Sequence, residues 1–183
     1  MERYHSVEHL DFYIKNFLIK EGAIQVVKKV KPHWDEAKIK IKVFTNGITN
    51  RLVGVYLQDS EEDLVLIRVY GEKTELFIDR NLEVRNMKTM HKAGLTPPVY
   101  CTFENGLCYG YAPGEVLDEK MIRDPTISRC VSDVLAKMHT IRPMVKVRSQ
   151  EKFERPEPSL FRGLKKFINL MPIAFNDVQQ NER

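Results

Sequence analysis

KIKIKVFTNGITNRLVGVYLQDSEEDLVLIR, residues Lys38 to Arg68, reads as strand, loop, strand, turn, strand. Ile39 to Phe44 alternates apolar residues with lysine, Leu52 to Leu57 is nearly all apolar, and Phe44 to Asn50 joins them as a hairpin. Asn46-Gly47 alone would reverse the chain, so Thr49 and Asn50 make the tip longer than a turn requires. Gly47 permits positive φ and close approach to the backbone, and successive amides in such a turn can converge on an anion. An ordinary polar hairpin loop is the other reading of the same residues. The third strand, Leu64 to Gly71, is apolar enough to be buried on both faces, yet it carries Arg68 near its end. A guanidinium so placed needs an anionic partner: a carboxylate from the next helix, a ligand phosphate, or both. On an edge strand it would instead be solvated.

Working outward, the chain of 183 residues with 43% hydrophobic content is long enough to bury a core. Its first residues, Met1-Glu2-Arg3-Tyr4-His5, are polar and charged, and no apolar run approaches the length of a bilayer span. The expectation is therefore a cytoplasmic chain with no leader and no membrane span. Three cysteines, Cys101, Cys108 and Cys130, without paired spacing speak against a disulfide framework and against a zinc site. Net charge is +4, and residues 141–183 account for all of it with nine Lys and Arg against five Asp and Glu. No aromatic-interleaved basic face accompanies that excess, so nucleic acid is not expected as a partner and the charge reads as a solvated helix surface.

In chain order, residues 1–37 form an N-terminal helical or extended segment. Leu10, Tyr13, Ile14, Phe17 and Leu18 fall at helical spacing, with an extended path left open by their aromatic and β-branched content. Ile24, Val26, Val27 and Val30 make a short amphipathic helix over Glu21 to Lys31, stopped by Pro32. After the three strands, Asp79 caps a helix over about 79–93 bearing Leu82, Val84, Met87 and Met90, with Gly94 closing it. The methionines read as core. Glu83 lies in the first turn, where a carboxylate is favoured, and is either a surface residue or the partner of Arg68. Pro97-Pro98 then starts a hairpin, Val99 to Phe103 and Leu107 to Tyr111 around Glu104-Asn105-Gly106. Asp124-Pro125 opens a helix with Ile127, Cys130, Val131, Val134, Leu135 and Met138 on one face. His139 at its end reads as a core or capping residue before it reads as a base. The boundaries that follow are a sheet region over 38–112, a hinge and helix over 113–141, and 142–183 as a linker and final amphipathic helix.

Five antiparallel strands with a helix between the third and fourth is the order of a protein-kinase-like N-terminal lobe, an α+β arrangement. Several ungapped blocks make the likeness specific: Phe44 to Asn50, Val69-Tyr70-Gly71 with Thr74-Glu75-Leu76 and Asp79-Arg80, Leu95 to Phe103, Asn105 to Tyr109, and Ala136-Lys137-Met138-His139. In that order they resemble the ethanolamine kinases of the choline/ethanolamine kinase family, from about Glu21 to Arg183. The resemblance implies transfer of the γ-phosphate of ATP, with Mg2+, to the hydroxyl of ethanolamine on the route to phosphatidylethanolamine. It implies that the loop matching Asn46, Gly47, Thr49 and Asn50 covers the ATP phosphates, that Arg68 contacts them, that Glu83 orients Arg68, and that adenine lies against Tyr109-Gly110-Tyr111.

The sequence departs from the family's pattern at Gly110, where a larger residue is expected, and at Ala112-Pro113. The family's catalytic loop, His-x-Asp followed by Asn, and its later Ile-Asp-x-Glu metal motif belong after the last helix, and the sequence ends before either. No catalytic and no metal-binding residue is therefore expected in these residues. His9-Leu10-Asp11 to Asn16 matches the loop letter for letter but precedes the phosphate loop, whereas base and metal ligands must approach from the opposite lobe. The expectation is a truncated product or isoform, inactive alone, that would act on ethanolamine only with a C-terminal lobe supplied. Choline or another amino alcohol as substrate, a non-catalytic regulatory isoform, and a homo- or hetero-dimer stay open.

Overall fold

The computed structural model describes residues 7–44, 50–58, 60–76, 78–141, 145–147, 150–152 and 159–171. Strands β2 (Ile39–Phe44), β3 (Arg51–Leu57) and β4 (Ser60–Val69) follow one another as an antiparallel meander, as the alternation in Lys38 to Arg68 predicts. Strands β5 (Val99–Phe103) and β6 (Gly106–Gly110) form the second hairpin, and β6 pairs with β4.

The sheet has six strands, where the sequence pointed to five. Glu8–Leu10 forms β1, which runs parallel to β5 and gives the order β1-β5-β6-β4-β3-β2. Helical spacing over Leu10 to Leu18 yields only a 3-10 turn over Asn16–Leu18, ahead of α1. The side-chain amide of Asn105 accepts from the Ile14 amide at 3.0 Å and donates to the Ile14 carbonyl at 2.9 Å, and the Glu104 amide donates to the Phe12 carbonyl at 3.0 Å. These bonds hold residues 12–14 extended, because the Phe12 carbonyl and both Ile14 backbone groups find partners on the β5–β6 turn.

Helix α1 (Ile19–Val30) covers one face of the sheet. Ala23, Val26 and Val27 are fully buried with Val53, Val55, Val65, Ile67 and Val69, and Ile14, Trp34, Cys101, Phe103 and Cys108 complete the core. Gly22 lets the helix approach closely, since a Cβ there would stand 2.8 Å from Ile14. Helix α2 (Arg80–Lys92) is capped by Asp79, whose carboxylate accepts from the Leu82 amide at 3.0 Å, and is closed by Gly94 at φ 72°. Met87 and Met90 are half-buried rather than core.

Helix α3 (Pro125–Thr140) is capped by Asp124, which accepts from the Thr126 and Ile127 amides; these bonds hold its carboxyl below the usual range. His139 is exposed in its last turn. The chain falls into two units, Met1–Arg142 and Pro143–Arg183. In the second, within the stretch read as a linker, β7 (Val145–Val147) pairs antiparallel with β8 (Gln150–Lys152), and α4 (Ser159–Leu170) follows. Among the described residues no helix is long and apolar enough to cross a membrane.

Candidate functional site

The two faces of β4 explain where Arg68 points. Val65, Ile67 and Val69 lie in the core beneath α1, so Leu64, Leu66 and Arg68 face the other way by the two-residue period of a strand. Leu52 stands opposite Arg68 on β3, and Leu107, itself fully buried, stands opposite it on β6. Tyr109 is opposite Leu66, which makes it the diagonal neighbour of Arg68 on the same face. The guanidinium lies 5.5 Å from the Tyr109 ring centre.

Arg68 Nη2 donates to Glu83 Oε1 at 2.5 Å, and Arg80 Nη1 donates to Glu83 Oε2 at 2.9 Å. The three side chains expose only 17–22% of their surface. Arg80 stacks at 3.7 Å on the Tyr70 ring and donates to Thr74 Oγ1, which donates in turn to the Gly71 carbonyl at 2.8 Å. Burial, then the Glu83 carboxylate, push the Tyr70 hydroxyl up to about 12, with Arg80 and Arg68 opposing. Burial likewise raises Tyr109. Two guanidiniums share one carboxylate, so the corner keeps one positive charge in excess. Arg68 Nε and Arg80 Nε are buried, with no acceptor among the described residues.

Of the residues singled out from sequence, Arg68, Glu83 and Tyr109 come together here. Asn46, Gly47 and Thr49 lie outside the described residues. Asn50 is described: its Oδ1 accepts from the Gly71 amide at 3.3 Å, and it stands two residues before the Leu52 that pairs with Arg68. One arm of the loop is therefore anchored at the Arg68 end of β4.

Gly110 has a different task from ligand contact through its amide, which donates to the Pro98 carbonyl at 2.9 Å. A Cβ at Gly110 would stand 2.9 Å from Pro97, so the proline pair accounts for the small residue noted in the sequence. Tyr111 follows, half-buried.

Two contributors escaped the sequence reading. Arg80 is a cation in the first turn of a helix, where the helix dipole disfavours one, and that misfit is a signal that a carboxylate one turn on holds it. Gly106 allows the β5–β6 turn to approach β4, since a Cβ there would come within 2.3 Å of the Arg68 carbonyl. His9 and Asp11 of the catalytic-loop look-alike lie on or beside β1, at the sheet edge opposite β2, which leads into the loop.

The choline/ethanolamine kinase family model matches residues 41–182. The chain is 39% identical over 164 residues to ethanolamine kinase 1 of Homo sapiens, covering 90% of this chain and 35% of that protein. It is 38% identical over 155 residues to ethanolamine kinase 2 of Homo sapiens, covering 85% of this chain and 38% of that protein. The chain thus spans well under half the length of these relatives. A Plasmodium vivax ethanolamine kinase superimposes with a TM-score of 0.71 at 22% identity, over 91% of this chain and 48% of its own. A Cryptosporidium parvum choline kinase gives 0.61 at 23% identity, over 78% of this chain and 40% of its own. At those identities the two structures establish the shared protein-kinase-like α+β fold.

Proposed function

The chain belongs to the choline/ethanolamine kinase family, and from that premise we propose that it is the nucleotide-phosphate-binding portion of an ATP-dependent ethanolamine kinase, acting in the cytoplasm on the route to phosphatidylethanolamine. The observation that carries this reading is the excess positive charge on Arg68, Arg80 and Glu83, half-buried beside the anchored arm of the 45–49 loop. Phosphoryl transfer depends on positioning and on neutralising phosphate charge, and this corner supplies both. Glu83 holds Arg68 at a fixed angle, and Arg68 contacts the ATP phosphates together with the loop of Asn46, Gly47, Thr49 and Asn50. Adenine lies against Tyr109 and Tyr111; the Gly110 amide, bonded to Pro98, is excluded from that contact.

Magnesium supplies further neutralisation at the phosphates in such a reaction. Glu83 does not fit the task of holding it, because both its oxygens already accept from guanidiniums. Within the 183 residues the single His-x-Asp-x-x-x-x-Asn stretch is His9 to Asn16, which begins on β1 and precedes the phosphate loop in the chain. These residues therefore bind nucleotide without turning it over. The relatives named ethanolamine kinases favour ethanolamine over choline as the acceptor in the whole reaction.

Calorimetric titration of the 183-residue chain with ATP tests the proposal. Saturable binding that weakens at least about tenfold in Arg68→Ala supports it, a factor equal to about 1.4 kcal/mol. Absence of binding, or equal binding by the variant, refutes it. Phosphoethanolamine formed above the Arg68→Ala background would refute the claim of binding without turnover.

A further inference from the structure

At the β1 edge of the sheet, β1 and the β5–β6 turn bring three potential metal ligands together. One donor atom each from His9, Asp11 and Glu104 lies within 4.8 Å of the others, and all three residues are exposed. His9 Nε2 is 3.5 Å from Glu104 Oε1. The other ring nitrogen, Nδ1, is 3.0 Å from Thr102 Oγ1. We propose that His9, Asp11 and Glu104 form a binding site for a zinc-like divalent cation that ties the N-terminal strand to the β5–β6 turn.

The chemistry of the donors carries this assignment. With the proton on Nδ1 donated to Thr102, the Nε2 lone pair faces the Glu104 carboxylate, an arrangement that a cation between the two satisfies. A proton on Nε2 would satisfy that one contact, but it leaves Asp11 without a reason to converge. Among the described residues neither carboxylate is ion-paired with a lysine or arginine. Imidazole and carboxylate are both zinc ligands, three of them leave a fourth position open, and the imidazole suits zinc rather than magnesium. A tetrahedral ion about 2.1 Å from each donor holds them about 3.4 Å apart, close to the observed His9 to Glu104 separation. Thr102 plays the orienting role that an outer partner plays for most metal-bound histidines.

The two halves of the site are tied together by hydrogen bonds. The Asn105 amide holds Ile14 from both sides and the Glu104 amide holds Phe12, so both halves of the site are fixed to the same turn. Beside it opens a cleft of about 560 Å³ lined in part by His9, Tyr13, Asn16, Arg80 and Glu104. The cation, with three protein ligands, retains an open position for a donor arriving there. None of this depends on nucleotide binding.

The test is calorimetric titration of the chain with zinc chloride and, separately, magnesium chloride, in a Cys130→Ser background that removes the exposed thiol. The expected result is saturable zinc binding with a rise in Tm, and no comparable binding of magnesium. His9→Ala, Asp11→Asn and Glu104→Gln each weaken zinc binding at least tenfold, and Thr102→Val weakens it about 10- to 100-fold with the ligands intact. Circular dichroism of each variant establishes that the fold is kept. Absence of zinc binding, binding that survives all three ligand substitutions, or equal affinity for magnesium overturns the proposal and leaves an ordinary His9–Glu104 ion pair.

Discussion

Helices α1 and α3 carry the same kind of apolar stripe, and the structure treats them differently. Ala23, Val26 and Val27 of α1 are within 1% of complete burial, whereas Val134 and Leu135 of α3 expose 47% and 45%. The periodicity states which side of each helix is apolar; it does not state what that side meets. For α1 the partner is the sheet, whose inward residues Val53, Val55, Val65 and Ile67 supply the matching surface. For α3, no described residue covers Val134 and Leu135 to that degree, although the Asp124 cap and Pro125 form the helix as the sequence predicts. Local signals thus make a helix, and only tertiary contacts give its stripe energetic weight.

The comparison breaks most sharply by truncating one side chain on each surface. Ile67→Ala, in the core under α1, is expected to lower stability by about 3 kcal/mol through lost burial and a residual cavity, whereas Leu135→Ala stays within about 0.5 kcal/mol. Urea denaturation of both variants checks this, and equal losses would mean that the α3 stripe is packed after all. Next in size, Glu83→Ala leaves two guanidiniums without their carboxylate on the far face of the sheet; a loss of about 2 kcal/mol in the same experiment is expected. Asp79→Ala removes the α2 cap and costs about 1 kcal/mol.

The smallest effect concerns pH. Tyr70 titrates near 10 in the unfolded chain and near 12 when folded. Below 10 both states keep the proton and the group contributes no slope. Between 10 and 12 the unfolded state alone loses it, so stability falls as pH rises through that window. Tyr70→Phe should show a shallower alkaline decline in Tm, and an unchanged decline would assign the slope to other groups.

Much of the sheet was legible because its signals are local. Alternation marks β2, near-continuous apolar residues mark β3 and β4, and Glu104-Asn105-Gly106 marks the second hairpin. The pairing of Arg68 with Glu83 was legible for a different reason: a cation in an apolar run demands an anion, and the next helix offers one in its first turn. What stayed hidden is non-local. Strand β1 is three residues long and pairs with β5, and the segment after it is held by Asn105, 91 positions from Ile14, which no window of sequence reveals. The role of Gly110 depends on Pro97 folding back over it, and that of Gly106 on the approach of the Arg68 carbonyl. Residues 45–49, central to the sequence reading, lie outside the described residues.

In the Asn105 clasp, one side chain stands in for a missing peptide, offering Ile14 a donor and an acceptor as a neighbouring strand would. Such a surrogate hangs on rotatable bonds, and the short β1–β5 ladder beside it lies at the sheet edge, so residues 7–18 open before β3 and β4 do. Deuterium should enter their amides first, and Asn105→Ala should abolish what protection they have while the β3–β4 amides remain slow.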